Sequence, residues 1–111
     1  MQGIERKAAI AAYKEKKVAS GIYRISCQAS GESWVGQWTN IDAIKTRLWF
    51  TLRQNSSMQK ALQSVWNTHG EDQFSFDILE RFEEDEPDYI RASRLKERAL
   101  FWREKLNAYA I

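Results

Sequence analysis

The chain has 111 residues, 43% of them hydrophobic and five of them Trp, which predicts one packed domain and excludes intrinsic disorder. Lys and Arg number 17 against 15 Asp and Glu, a net charge of only +2, so any basic surface must come from local clustering. A single cysteine, Cys27, excludes an internal disulfide and does not suggest a zinc site. No apolar run reaches membrane-spanning length and the N-terminus lacks a signal-peptide core, so a soluble, cytoplasmic protein without a membrane partner is expected.

Residues 1–20 read as a basic N-terminal helix. Ala8, Ala9, Ala11 and Ala12 are strong helix formers, and Arg6, Lys7, Lys14, Lys16 and Lys17 outnumber Glu5 and Glu15. A solvated face and an electrostatic arm for a phosphate backbone are both open readings of it. Ser20-Gly21 breaks this helix.

Gly21 to Gly36 then reads as a β-hairpin. Ile22, Tyr23, Ile25 and Cys27 favour one strand, Trp34 and Val35 the other, and Ser30-Gly31 marks the turn. Cys27 reads as a small buried hydrophobe. Thr39 or Asn40 can cap a helix whose Ile41, Ile44, Leu48 and Leu52 recur at helical spacing, with Trp49 at the edge of the stripe. Arg47 flanks that stripe and faces inward along the sheet edge, whereas Arg53 points to solvent. Gln54 to Ser57 is polar punctuation, and Ser56 or Ser57 is expected to cap a second helix containing Met58, Leu62, Val65 and Trp66, stopped by Gly70. His69, beside that stop, reads as a surface or capping residue.

Residues 72–80 read as a strand in which Phe74, Phe76 and Ile78 form an apolar face. It should join the hairpin in a three-stranded sheet. Glu83 to Asp88 is an acidic loop, and Pro87 suits the first turn of a last helix over residues 88–106. Ala92, Leu95, Ala99, Trp102 and Leu106 form one stripe of that helix. Ile90, Leu100 and Phe101 form a second, with Glu97 in its middle; an exposed Glu97 paired with Arg94 or Arg98 is the ordinary reading.

Gly21-Ile22-Tyr23 followed by Trp34-Val35-Gly36 resembles the paired signature of the GIY-YIG nuclease superfamily. Arg47 in the next helix, the Phe74–Glu80 strand and a glutamate in the last helix continue the family order. The resemblance implies an α+β fold with a small three-stranded sheet flanked by helices. It covers a core of residues 21–106 in a single domain spanning 1–111, with the N-terminal helix as an addition.

It also implies a metal-dependent endonuclease that hydrolyses DNA phosphodiester bonds. In that role one Mg²⁺ or Mn²⁺ is held by Glu97, which is followed by apolar residues three and four positions on, as in the family; Glu104 is a less favoured competitor. Tyr23 positions or deprotonates the water, and Arg47 stabilises charge on the phosphate. Arg47 stands about one helical turn further from the second glycine than is usual in the family, on the same helix face. Trp34, Gly36, Gln37 and Asn107 are the expected substrate-binding positions. The implied partner is DNA, branched or damaged forms among the candidates, with a homodimer or a separate DNA-binding partner supplying specificity.

The second motif carries Trp34 in place of tyrosine, and an indole offers one N–H but no hydroxyl acceptor. A catalytically impaired module of this fold, binding nucleic acid or protein, is therefore the alternative reading.

Overall fold

The structure is a computed structural model that describes residues 19–83 and 87–111. The expected helix before residue 19, and residues 84–86 of the acidic loop, lie outside the described residues. Within them the chain forms β1 (Ser20–Cys27), β2 (Ser33–Trp38), α1 (Ile41–Arg53), α2 (Lys60–His69), a short 3-10 turn (Glu71–Gln73), β3 (Phe74–Phe82), α3 (Asp88–Leu106) and β4 (Tyr109–Ala110). No described helix is long and apolar enough to cross a membrane.

The hairpin forms as its sequence dictates. Gly31 takes a positive φ of 76°, open without penalty only to glycine. Its N–H donates to Cys27 O at 2.9 Å, and the Cys27 N–H donates to Glu32 O at 2.9 Å. Tyr23 then faces Gly36 and Ile25 faces Trp34 across the antiparallel ladder. Because side chains alternate along a strand, Tyr23, Ile25, Cys27 and Trp34 share one face while Ile22 and Val35 share the other.

Each face is covered, so the domain has three layers. Ile41, Ile44, Trp49 and Leu52 of α1 and Leu62 and Trp66 of α2 pack on the Tyr23 face. Trp49 is buried and Leu48 only half-buried, so the buried stripe of α1 is rotated slightly from the expected one. Leu95 and Ala99 of α3, with Trp102 and Leu106 beside them, pack on Ile22 and Val35. α3 occupies the expected span, and Pro87 sits at its N-cap.

β3 departs from simple alternation. Tyr23 pairs with Ile78 but Ile22 pairs with Glu80, so Leu79 is an extra residue in a β-bulge. Leu79 joins the Ile22 cluster and the bulge sets Glu80 on that side as well, while Ile78, expected on the apolar face with Phe74 and Phe76, is exposed. Beyond the bulge Glu80 accepts hydrogen bonds from Arg98 Nε at 2.6 Å and Trp102 Nε1 at 2.7 Å, which tie β3 to α3.

The sheet has four strands, in the order β3-β1-β2-β4, rather than the three expected. Asn107 ends α3 in the left-handed conformation, φ 53°. The chain then returns so that Tyr109 and Ala110 pair in parallel with Trp34 and Val35. A two-residue strand is too short to show periodicity in sequence.

α2 also starts later than expected. Met58 lies outside it and is 91% exposed, and Ser57 makes no helix cap. The backbone N–H of Ser57 is held instead by buried Gln63 Oε1 at 3.1 Å, and Gln63 Nε2 donates to Leu52 O at 3.0 Å. One glutamine thus fixes the loop that joins α1 to α2.

Candidate functional site

A cavity of about 330 Å³ opens between α1, the end of β2 and the α1–α2 loop. Ile44, Arg47, Leu48 and Thr51 line one wall because residues three and four apart share a helix face. Ser56, Ser57 and Gln59 come from the loop fixed by Gln63, Gln37 and Trp38 come from β2, and Tyr23 and Ile111 close the base.

Tyr23 is only 4% exposed, and its ring stacks on Phe76 with centroids 5.5 Å apart. Burial disfavours the phenolate and pushes the pKa up to about 12. At neutral pH Tyr23 is therefore a neutral phenol, suited to hydrogen bonding rather than to taking a proton from water. Its ring lies across Gly36: a Cβ at that position would stand 2.5 Å from the phenol oxygen and 2.6 Å from Cζ, and closer still to Ile111 Cγ2. The space over Gly36, expected to admit substrate, is filled by the protein itself.

Arg47 is exposed, and its guanidinium carbon lies 5.3 Å from the centre of the Trp38 ring. Stacking on an indole leaves the N–H edges of a guanidinium open to an anion. Among the described residues no carboxylate pairs with Arg47, whereas Arg53, on the solvent side of the same helix, is bound by both oxygens of Glu71 at 2.6 and 2.7 Å.

Tyr23, Gln37 and Arg47 are thus brought together. Gly36 lies beneath the Tyr23 ring, and Glu97, Trp34 and Asn107 are elsewhere. Glu97 is exposed on the outward side of α3, where it lines a separate groove with Tyr89, Ile90, Ser93 and Arg94. The buried positions of α3 are Leu95 and Ala99, which leaves Glu97 pointing away from the sheet. Trp34 is buried against Phe74 and Tyr109 and lines a different cavity with Glu32 and Leu62. Asn107 is the α3 C-cap and does not line the Tyr23–Arg47 cavity. Three contributors escaped the sequence reading: Trp38, Thr51 and the Ser56–Gln59 wall. In the sequence Ser56 and Ser57 read as punctuation and helix caps and Met58 as part of the second helix, which carries no sign of a cavity wall.

A divalent cation of the kind the family implies does not fit this cavity. Magnesium-type ions are held by one or two carboxylates together with waters and phosphate. Among the described residues the lining side chains that can donate to a cation here are phenol, hydroxyl and amide groups, with no carboxylate side chain. Among the described residues no group of three His, Cys, Asp or Glu side chains could hold a metal elsewhere.

No protein-family profile and no curated protein matches the sequence. Solved structures do match. The catalytic domain of the homing endonuclease I-TevI is 28% identical, with a TM-score of 0.66, and the alignment covers 83% of this chain and 97% of that one. A mutant of the catalytic domain of intron endonuclease I-TevI, in which a glutamate is replaced by alanine, is 27% identical with a TM-score of 0.67, over 82% and 91% of the two chains. The fold is that of the GIY-YIG nuclease superfamily. Its GIY-YIG signature lies on β1 and β2, where Tyr23 and Gly36 face each other directly. The short β4 is a modest addition to the three-stranded sheet expected from the resemblance. The present chain, similar to these domains in fold, has Tyr23 at its cavity and buries Trp34 outside it.

Proposed function

We propose that this GIY-YIG domain binds the phosphate backbone of DNA at the Tyr23–Arg47 cavity and does not hydrolyse it by the metal-dependent route. The observation that carries the reading is Arg47: exposed, packed over the Trp38 ring, and facing a cavity lined by no carboxylate side chain among the described residues. A guanidinium fork matches two phosphate oxygens, and the Gln37 amide and the neutral Tyr23 phenol offer further donors. Among the described residues no acidic side chain lines the cavity to offset its attraction for an anion. DNA as the ligand is supported by the likeness to endonuclease catalytic domains. Hydrolysis additionally requires an activated water and neutralisation of charge on the leaving oxygen. A phenol whose pKa lies near 12 is a poor base at neutral pH.

The same likeness favours a second reading, an endonuclease that uses Glu97 and one Mg²⁺ or Mn²⁺. The two readings separate in one experiment. DNA binding is followed by fluorescence anisotropy, and cleavage of plasmid and branched DNA is followed with Mg²⁺ or Mn²⁺, for the wild type and for Arg47→Ala and Glu97→Ala. Binding that is weakened by Arg47→Ala, without cleavage, supports the first reading. Cleavage that disappears in Glu97→Ala establishes the second. Failure to bind DNA at low salt sinks the first.

A further inference from the structure

α3 has a second face that no other described element covers. Ile90, Arg94, Glu97 and Phe101 follow one another at spacings of four, three and four residues, the pattern of a helix–helix seam. Ile90 is 40% exposed and Phe101 42%. At the N-terminal end of this face a groove of about 360 Å³ is lined by Tyr89, Ile90, Ser93, Arg94 and Glu97, with the small Ser93 leaving room in it. At the other end, about three turns away, Phe101 stands beside exposed Leu100, with the Arg98 guanidinium carbon 4.3 Å and the Lys105 ammonium 5.6 Å from its ring centre.

We propose that a second copy of this chain docks on this face, with the two α3 helices antiparallel about a two-fold axis, so that Phe101 of each copy enters the groove beside Ile90 of the other. Hollow and ridge lie on one helix, equidistant from a point between Leu95 and Lys96, so one rotation satisfies both contacts. The charges select this direction. Antiparallel pairing sets Arg94 of each copy level with Glu97 of the other, whereas parallel pairing sets Glu97 against Glu97 and Arg94 against Arg94. Arg94 also holds contacts within its own chain, including the Phe82 ring at 5.3 Å, and its five donors allow it to keep them. α3 covers the sheet face opposite to α1 and α2, so the Tyr23–Arg47 cavity of each copy stays open. The inference does not depend on what that cavity binds.

Sedimentation equilibrium of the full chain tests it. The wild type should be a dimer, and Phe101→Asp should be monomeric. Arg94→Glu and Glu97→Arg should each raise the dissociation constant at least about tenfold when alone, because each sets like charges together. Mixed in equal amounts, these two variants should regain a dimer, since the heterodimer restores two opposite-charge pairs. That recovery also shows that both variants are folded. A wild type that stays monomeric at about 300 µM overturns the proposal and leaves the face to another partner. A dimer indifferent to the charge variants, or variants that fail to recover on mixing, overturns the antiparallel register.

Discussion

The phenol of Tyr23 lies across Gly36 of the adjacent strand at a separation that leaves no room for a methyl group. Glycine is required there by packing, not by φ. Gly36→Ala should therefore destabilise the domain by about 1–3 kcal/mol, the usual cost of overfilling a packed site. Urea unfolding followed by far-UV circular dichroism measures it. Ile111→Ala introduced in the same chain should recover only part of the loss, because Tyr23 still meets the added carbon.

The burial of Tyr23 gives stability a defined dependence on pH. Its pKa rises from 10.0 to about 12 in the folded protein. The folded state therefore holds the phenolic proton across that interval while the unfolded chain gives it up. The contribution is complete below pH 10 and is lost as pH climbs through 12, a total of roughly 2–3 kcal/mol. The difference in unfolding free energy between the wild type and Tyr23→Phe should narrow or reverse over this window. A constant difference from pH 8 to 11.5 would show that the phenol titrates normally.

Arg47 should act on binding and not on folding. Arg47→Ala is expected to weaken DNA affinity across sequences and to lower the slope of log affinity against log salt by about one unit. Arg47→Lys should keep the salt slope but lose affinity, because a point charge lacks the fork. Trp38→Ala should weaken binding less, by releasing the guanidinium from its stack. Anisotropy titrations at several salt concentrations resolve all three.

Gln63 should matter to the cavity without touching it. Gln63→Leu leaves the Ser57 N–H and the Leu52 carbonyl without their partner. A cost of about 1–3 kcal/mol is expected, together with faster hydrogen exchange at the Ser57 amide. DNA affinity should fall more in Gln63→Leu than in Glu97→Ala, since only the first loosens a wall of the cavity.

Much of the fold could be read from the chain because its signals are local. The hairpin turn at Gly31, the Gly70 stop and the span of α3 depend on glycine, proline and helical periodicity. Features set by distant contacts could not be read in this way. The Leu79 bulge depends on pairing with Ile22 and Tyr23, more than fifty residues earlier. The late start of α2 depends on a glutamine that captures a backbone amide across a loop. At the site, Tyr23, Gln37 and Arg47 come together because a strand pair and one helix face position them. The sequence resemblance draws attention to Glu97, but the helix face turned toward the sheet is chosen by the apolar residues Leu95 and Ala99.

β1 lies between two neighbouring strands and beneath helices on both sides. Its amides can therefore reach water only when the whole molecule comes apart, and their exchange should report the global unfolding free energy. Tyr23 is carried on this least yielding segment of the domain. Any adjustment to an incoming ligand then falls to the exposed side chain of Arg47, which works against a floor that does not give.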